Sequence, residues 1–259
     1  MMKLWLQNSD SVEISWLSDY LDFRALSGIV TSLPEEVGAD AYLLQISHDG
    51  LSLSSPGSGN TTPTRVDFLS ARLQHRVRTT RRHDGLAKAV GLDRYPNGLH
   101  VLDATAGMGT DAYLLAAKGC RVTLVEKHPV MAALLADGLR RAARDPAQAE
   151  ILARMQLQAG DAHQVLAQLP QDALPDVITL DPMFPPRQKS ALVKKDMALM
   201  QGLLPPNDDV ATLLALAREK AGKRVVLKRP GKAEKTPAVK PDFQVPGKAC
   251  HFQVFLTAR

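Results

Sequence analysis

The sequence predicts an α/β fold in which a mostly parallel seven-stranded sheet carries helices on both faces and follows a small α+β N-terminal domain. From about Leu99 onward, short apolar runs alternate with segments that have apolar residues at helical spacing. A glycine turn follows the first of these runs and opens a helix. Before Leu99 the pattern differs, because two alternating segments joined by a turn indicate a β-hairpin.

Seven apolar runs predict the strands of the large sheet. They are residues 99–102, 122–125, 155–157, 177–180, 225–227, 243–245 and 251–256. The segments between them carry apolar residues at helical spacing and predict helices over residues 111–118, 129–144, 163–169 and 209–221, with Gly119 and Gly222 as helix stops.

The region before the large sheet predicts a separate domain. Residues 42–46 and 51–54 alternate between apolar and polar side chains, and His48-Asp49-Gly50 between them is a turn signal. Residues 54–64 are rich in Ser, Pro, Gly, Asn and Thr and predict a loop, and residues 94–98 predict a hinge. The expected domains are therefore residues 1–95 and 96–259.

Composition narrows the class of protein. The 259 residues are 45% apolar, which is ample for a buried core. Two cysteines without metal-ligand spacing predict neither a disulfide scaffold nor a metal site. Neither a signal peptide nor a run of about 18 apolar residues is present, so we expect no membrane segment and a cytoplasmic protein. A formal charge of +5 favours a polyanionic partner.

The glycine turn predicts a cofactor site. Gly107 and Gly109 allow a ligand to approach the backbone closely, and the amides at the start of the helix face that ligand. The pattern through Ala112 satisfies the G-x-G-x-x-G/A fingerprint, and Glu126 follows at the end of the next strand. A nicotinamide dinucleotide is therefore one candidate.

Acidic side chains favour another cofactor. Asp103 ends the strand before the turn, and Asp111 lies in the first helical turn, where a pyrophosphate would sit. Two carboxylates there repel a dianion, but they suit S-adenosylmethionine (SAM), whose ammonium and sulfonium groups are cationic. Glu126 can accept both ribose hydroxyls, and Asp161 is expected to contact the adenine edge.

The segment after the fourth strand predicts the acceptor. Asp181 can accept an N–H of a planar exocyclic amine and so localise the nitrogen lone pair for attack on a methyl sulfonium. Pro182 stiffens the backbone, and Phe184 can stack on the base. These three residues are the predicted catalytic group.

Basic residues occur in three clusters that could frame one cleft. The first runs from Arg65 to His83, the second follows the acceptor motif, and the third, Lys223 to Lys232, flanks the fifth strand. RNA phosphates suit such clusters. The predicted RNA contacts are Arg76, Arg78, Arg81, Arg82, Lys189, Lys194, Lys195 and Lys228.

Several stretches resemble signature stretches of the bacterial RsmJ family of 16S ribosomal RNA guanine-N2 methyltransferases. They are residues 66–68, 87–91, 102–111, 119–122, 181–185, 188–195 and 223–230. The resemblance covers the chain from about residue 51 and implies a class I methyltransferase (Rossmann-like) fold that uses SAM. It also implies that the substrate is one guanine of 16S rRNA, free or in the 30S subunit. The cofactor contacts it implies are Thr110, Asp111, Glu126, Lys127, Asp161, Ala162 and Asp181.

Three other functions are compatible with the residues alone. The acceptor motif indicates an exocyclic amine more directly than it indicates a base, so adenine N6 in RNA or DNA is an alternative acceptor. The glycine fingerprint also allows a nicotinamide-dependent oxidoreductase. A third alternative is an RNA-binding module without catalysis.

Overall fold

A computed structural model describes residues 3–8, 10–26, 28–30, 41–55, 60–182, 203, 209–230, 239–247 and 250–257. The strands are β1 (Lys3–Asn8), β2 (Gly28–Val30), β3 (Ala41–Ser47), β4 (Gly50–Ser55), β5 (Asn60–Thr64), β6 (His100–Asp103), β7 (Arg121–Glu126), β8 (Met155–Ala159), β9 (Val177–Leu180), β10 (Arg224–Pro230), β11 (Phe243–Pro246) and β12 (Cys250–Leu256). The helices are α1 (Ala71–Thr79), α2 (Gly85–Val90), α3 (Thr110–Ala117), α4 (Pro129–Ala142), α5 (Ala149–Leu152), α6 (Ala162–Gln168) and α7 (Val210–Lys220).

The large sheet confirms the predicted fold class. Its strand order in the described part of the chain is β11-β12-β10-β9-β6-β7-β8. β12 alone runs antiparallel to its neighbours, and the other pairings are parallel. All seven predicted strands are present to within a few residues, because an apolar run is a local signal. The inner strands such as β9 are buried on both faces, whereas β8 and β11 at the sheet edges are partly exposed. The carboxyl ends of β6, β7, β8, β9 and β10 therefore share one edge.

Helices cover both faces of this sheet and form two hydrophobic clusters with it. α3 and α4 bury Tyr113, Leu134 and Leu135 in the larger cluster. α6 and α7 bury Leu166 and Leu214 in the smaller cluster on the opposite face. The four helices predicted between the strands are thus confirmed.

A second sheet with the order β2-β1-β3-β4-β5 precedes the large one. The predicted hairpin is confirmed, since β3 pairs antiparallel with β4 and Ser47 lies opposite Gly50. Gly50 has a φ of +105°, which explains why the turn needs glycine. The sequence patterns did not predict β1, β2, α1 or α2.

The predicted loop over residues 54–64 is wrong in part. Residues 60–64 form β5, which pairs with β4 through an irregular register between Leu53 and Ser55. Pro63 is tolerated because β5 is an edge strand and needs no further ladder hydrogen bond on its outer side. Residues 56–59 lie outside the described residues.

The small sheet shares a hydrophobic core with the helices of the large one. α4 contacts β4 as well as β7 and β8, and Leu44, Leu51 and Leu134 belong to one buried cluster. Gly138 of α4 allows this approach, because a Cβ there would lie 2.5 Å from Val66 Cγ1. The domain division at residue 95 stays a prediction.

Among the described residues, none of the helices combines the length and the apolar character needed to cross a membrane.

Candidate active site

The glycine turn joins β6 to α3 as predicted. Gly107 and Gly109 have φ values of +52° and +67°, in the left-handed region that favours glycine. Gly109 is the residue before the first turn of α3, and Asp111 lies within that turn. The helix amino terminus therefore points toward the carboxyl edge of the sheet.

The two glycines of the turn face different surroundings. A Cβ on Gly107 would have Thr105 O, 3.9 Å away, as its nearest neighbour. A Cβ on Gly109 would lie 2.7 Å from Leu135 Cδ1 and 3.2 Å from Phe68 Cζ. Gly107 thus faces open space, whereas Gly109 allows close packing beneath the turn.

A cavity of about 900 Å³ opens above the carboxyl edge of the sheet, a volume typical of cofactor sites. Of the predicted cofactor and catalytic residues, those that line it are Asp103, Gly107, Thr110, Asp111, Glu126, Lys127, Asp161, Ala162, Asp181 and Pro182. Gly109 lies beneath the lining, and Phe184 lies outside the described residues. Tertiary folding therefore brings together residues from four strand ends.

Glu126 is a buried carboxylate held by backbone amides. Its Oε2 accepts a hydrogen bond from the Gly107 amide at 2.8 Å, and its Oε1 accepts one from the His128 amide at 2.7 Å. Burial raises the pKa of Glu126 above its usual range. Each carboxylate oxygen can accept more than one donor, so the group is positioned to accept hydroxyls from a ligand.

Asp161 provides a second acceptor at the side of the cavity. It caps α6 by accepting the His163 amide at 2.8 Å and forms a 2.7 Å ion pair with Lys127. The hydrogen bond from Lys127 is the largest of the effects that lower the pKa of Asp161 to about 2. Asp161 is therefore ionised at neutral pH.

Asp103 lies at the base of the cavity and is 6% exposed. Burial, reinforced by the nearby Asp111 carboxylate, raises the pKa of Asp103 to about 7. Near neutral pH this side chain is thus present in both protonation states.

Lys228, at the end of β10, connects the predicted cofactor and catalytic carboxylates. Its Nζ lies 2.6 Å from Asp181 Oδ2 and 2.9 Å from Asp111 Oδ2. Arg76 Nη2 contacts the other oxygen of Asp111 at 2.6 Å. Asp111 therefore carries two cationic partners, and its negative charge is more compensated than the sequence alone suggested.

The backbone of Asp181 is also tied to the glycine turn. Its amide donates to Thr105 Oγ1 at 2.6 Å, which joins the end of β9 to the loop after β6. Partial burial and the charge of Asp111 raise the pKa of Asp181, whose side chain is 47% exposed, while Lys228 opposes the rise.

The predicted RNA contacts divide into three groups. Arg76 and Lys228 line the cavity and pair with carboxylates. Arg78, Arg81 and Arg82 are exposed near the carboxyl end of α1, outside the cavity lining. Lys189, Lys194 and Lys195 lie outside the described residues.

The expectation that the third basic cluster frames the same cleft is wrong for its first two members. Lys223 and Arg224 lie at the amino end of β10, opposite the cavity. Lys223 forms a 2.9 Å ion pair with Asp176, and the buried Arg224 donates to Ala89 O. The strand separates the two ends of the cluster, although they are close in sequence.

One wall of the cavity comes from residues before the large sheet, and the sequence patterns assigned no role to its aromatic member, Phe68. Arg65, Phe68 and Arg72, which precede the large sheet, line the cavity opposite the strand ends. Phe68 stacks on Tyr113 with ring centroids 5.0 Å apart, and Gln74 Nε2 donates to Phe68 O at 2.7 Å. Arg65 and Arg72 belong to the first basic cluster, which was expected to frame a cleft, and Phe68 belongs to the family-like stretch at residues 66–68.

Comparison with known proteins agrees with this site. A family model for SAM-dependent methyltransferases matches residues 32–257, which include every residue that lines the cavity. Proteins named ribosomal RNA small subunit methyltransferase J from Thioalkalivibrio sulfidiphilus and Alkalilimnicola ehrlichii are 46% and 45% identical to this chain. These alignments cover 86% and 88% of this chain and 87% and 86% of those proteins.

A solved structure shares nearly the whole fold. The SAM-dependent methyltransferase NGO1261 from Neisseria gonorrhoeae aligns with a TM-score of 0.71 and 32% identity. The alignment covers 98% of this chain and 96% of that chain. The small sheet and the large sheet therefore occur together in a solved relative.

Proposed function

Because this chain belongs to the ribosomal RNA small subunit methyltransferase J family of SAM-dependent methyltransferases, we propose that it methylates the exocyclic N2 of one guanine in 16S rRNA. The observation that carries this proposal is the position of Asp181, whose backbone and carboxylate are both fixed at the cavity beside the glycine turn. We place the reaction in the cytoplasm.

The cavity suits SAM as the methyl donor. Gly107 leaves open space where a ligand approaches the turn, and Glu126 and Asp161 are placed to accept the ribose hydroxyls and the adenine amine. Asp103 adds a carboxyl group that is partly ionised near neutral pH, which suits a cationic ligand, while Arg76 and Lys228 compensate the charge of Asp111. When bound, SAM supplies an electrophilic methyl group on a sulfonium. These residues fit it better than a dinucleotide, because Asp111 lies in the first turn of α3, where a pyrophosphate would otherwise bind the helix amides.

Asp181 is the residue that activates the acceptor amine. Lys228 contacts Oδ2, and among the described residues no donor contacts Oδ1. Oδ1 can therefore accept an N–H of the amine and localise its nitrogen lone pair. Alignment of the amine in the cavity and this electrostatic contribution together account for the catalysis we propose.

The carboxylate favours guanine over adenine. An ionised carboxylate accepts hydrogen bonds and donates none. The Watson–Crick edge of guanine presents the N1–H and N2–H donors side by side, whereas adenine places the acceptor N1 beside its N6 amine. Asp181 can therefore accept two hydrogen bonds from guanine but would face an acceptor on adenine.

A methyl-transfer assay tests this function. Labelled SAM is incubated with unmodified 30S subunits and with naked 16S rRNA, and the modified nucleotide is mapped. We expect label on one guanine N2. RNA with inosine at the mapped position, which lacks the N2 amine, should take up no label, and a guanine-to-adenine change should also abolish uptake. Label on adenine N6 would contradict the proposal.

The N-terminal part of the chain, residues 1–95, is proposed to position the RNA. Its exposed Arg78, Arg81 and Arg82 are free of carboxylate partners among the described residues, so they can contact phosphates. Replacing all three by Gln should weaken RNA binding by about tenfold or more at low salt. A plot of log K against log salt has a negative slope, and the magnitude of this slope should decrease by about 2. Each lost phosphate contact reduces that magnitude by roughly 0.7–0.9.

The control for this prediction removes the same charge elsewhere. Arg121, Arg144 and Arg218 are also exposed and lie outside the cavity lining. Replacing these three by Gln should leave the salt slope within about 0.5 of the wild-type value. Equal losses of RNA affinity in the two triple variants would show that net charge determines binding and that the position of the arginines does not.

A further inference from the structure

Lys228 contacts carboxylates on both the cofactor side and the acceptor side of the cavity. Its side chain extends from the carboxyl end of β10 and is 29% exposed. Its Nζ lies within 3 Å of carboxylate oxygens from α3 and from the end of β9. An ammonium with two such partners is already neutralised, so a third anion such as a phosphate gains little by approaching it.

The two carboxylates depend on Lys228 to different degrees. Asp111 has a second cation, because Arg76 contacts its other oxygen at 2.6 Å. Asp181 has no second cationic partner among the described residues. Loss of the Lys228 ammonium should therefore affect Asp181 far more than Asp111.

Charged and titratable groups from five elements share the environment of Asp181. The groups that act on it or share its environment are Asp103 from β6, Asp111 from α3, Arg76 from α1, Lys228 from β10 and Cys250 from β12. Removal from solvent and Asp111 raise the pKa of Asp181, and Lys228 alone among its named electrostatic partners lowers it. Without Lys228, the remaining effects on this carboxyl both raise its pKa, so protonation becomes more favourable than in the wild type.

We propose that Lys228 is a positioning residue for the methyl acceptor, whose ammonium keeps Asp181 ionised and turns its Oδ1 toward the amine, and that it is not a phosphate contact. This inference rests on the proposed function of Asp181 as the acceptor of an amine N–H. It replaces the sequence-based prediction that Lys228 binds RNA.

Lys228→Met tests the proposal, because Met keeps a long unbranched side chain and removes the charge. Asp181 acts when ionised, so activity falls as pH drops through its apparent pKa. Loss of the cation raises that pKa, so the acidic limb of the kcat profile should move to higher pH. At pH 7 kcat should be at least about tenfold lower, with partial recovery at pH 9.

Binding should change much less than turnover. Because Arg76 still holds Asp111, the Kd of SAM measured by calorimetry should stay within about threefold of wild type. The Km for RNA should stay within the same range. Lys228→Arg keeps a cation and should restore most of the wild-type pH profile.

Lys223→Met is the matched control. Lys223 lies directly before the same strand and pairs with Asp176 at 2.9 Å, but at the opposite end of the sheet. Its pH profile should match that of the wild type. Thermal unfolding of all variants checks that Lys228→Met is folded, and Lys228→Gln provides a second uncharged variant with a polar end.

A readout without RNA separates this inference from the proposed function. The carboxyl carbon-13 shift of Asp181, assigned by comparison with Asp181→Asn, reports its apparent pKa in the isolated protein. A midpoint that rises in Lys228→Met and returns in Lys228→Arg supports the inference even if guanine is not the acceptor. An unchanged midpoint, or lost RNA affinity with an unchanged pH profile, would overturn it.

Discussion

Asp181→Asn is expected to lower kcat by at least about 100-fold, because an acceptor of the amine N–H contributes on this scale. Asn has nearly the same size but only one acceptor oxygen. If that oxygen turns to Lys228, as the present 2.6 Å contact favours, the amide NH₂ faces the substrate amine and two donors oppose each other. Methyl transfer to the mapped guanine is the measurement.

Binding should survive this substitution. The contacts proposed for the cofactor come mainly from Gly107, Glu126 and Asp161, so SAM affinity should stay within about threefold of wild type. Asp172→Asn is the control, since Asp172 is exposed and does not line the cavity. Retained turnover in Asp181→Asn would remove Asp181 from the reaction, whereas only an absence of methyl transfer by the wild type would favour the RNA-binding module without catalysis.

Gly109→Ala is expected mainly to reduce stability, whereas Gly107→Ala is expected mainly to reduce SAM affinity. Both positions have positive φ, so each Ala costs about 1–2 kcal/mol of backbone strain. At Gly109 the new Cβ also lies 2.7 Å from buried Leu135, and overpacking adds about 1–3 kcal/mol. Gly109→Ala should therefore lower the free energy of unfolding by about 2–5 kcal/mol.

At Gly107 the new methyl group meets open cavity instead of packed side chains. Gly107→Ala should lower the free energy of unfolding only by the backbone strain of about 1–2 kcal/mol. The affinity for SAM should fall by about tenfold or more, since about 1.4 kcal/mol corresponds to that factor. Chemical denaturation and calorimetry of the two variants measure both quantities. Equal losses of stability would contradict the separate roles assigned to the two glycines.

Much of the large sheet was predictable because its signals are local. A strand such as β9 is an apolar run of four residues, and the sequence shows where it ends. Because parallel strands place their carboxyl ends at one edge, Glu126, Asp161 and Asp181 were expected to meet there. The strand order found in the structure brings them to one cavity.

The small sheet was harder to predict because its pairing is not local. β1 pairs in parallel with both β2 and β3, which follow it at a distance along the chain. β5 contains a proline and lies in a segment with loop composition, so its pairing with β4 overrides its local preference. The wall formed by Arg65, Phe68 and Arg72 has the same origin, since packing against Tyr113 positions it.

The sequence by itself determined which side chains stand at the strand ends and in the glycine turn, because short-range periodicity and strand direction decide those positions. Only the tertiary structure decided what those side chains do to one another. Lys228 is 47 residues from Asp181 and 117 from Asp111 in sequence, yet its ammonium contacts both. Coulomb energies depend on distance in space, so a residue that resembled one more RNA-binding lysine is an ion-pair partner of the acceptor carboxylate in the folded chain.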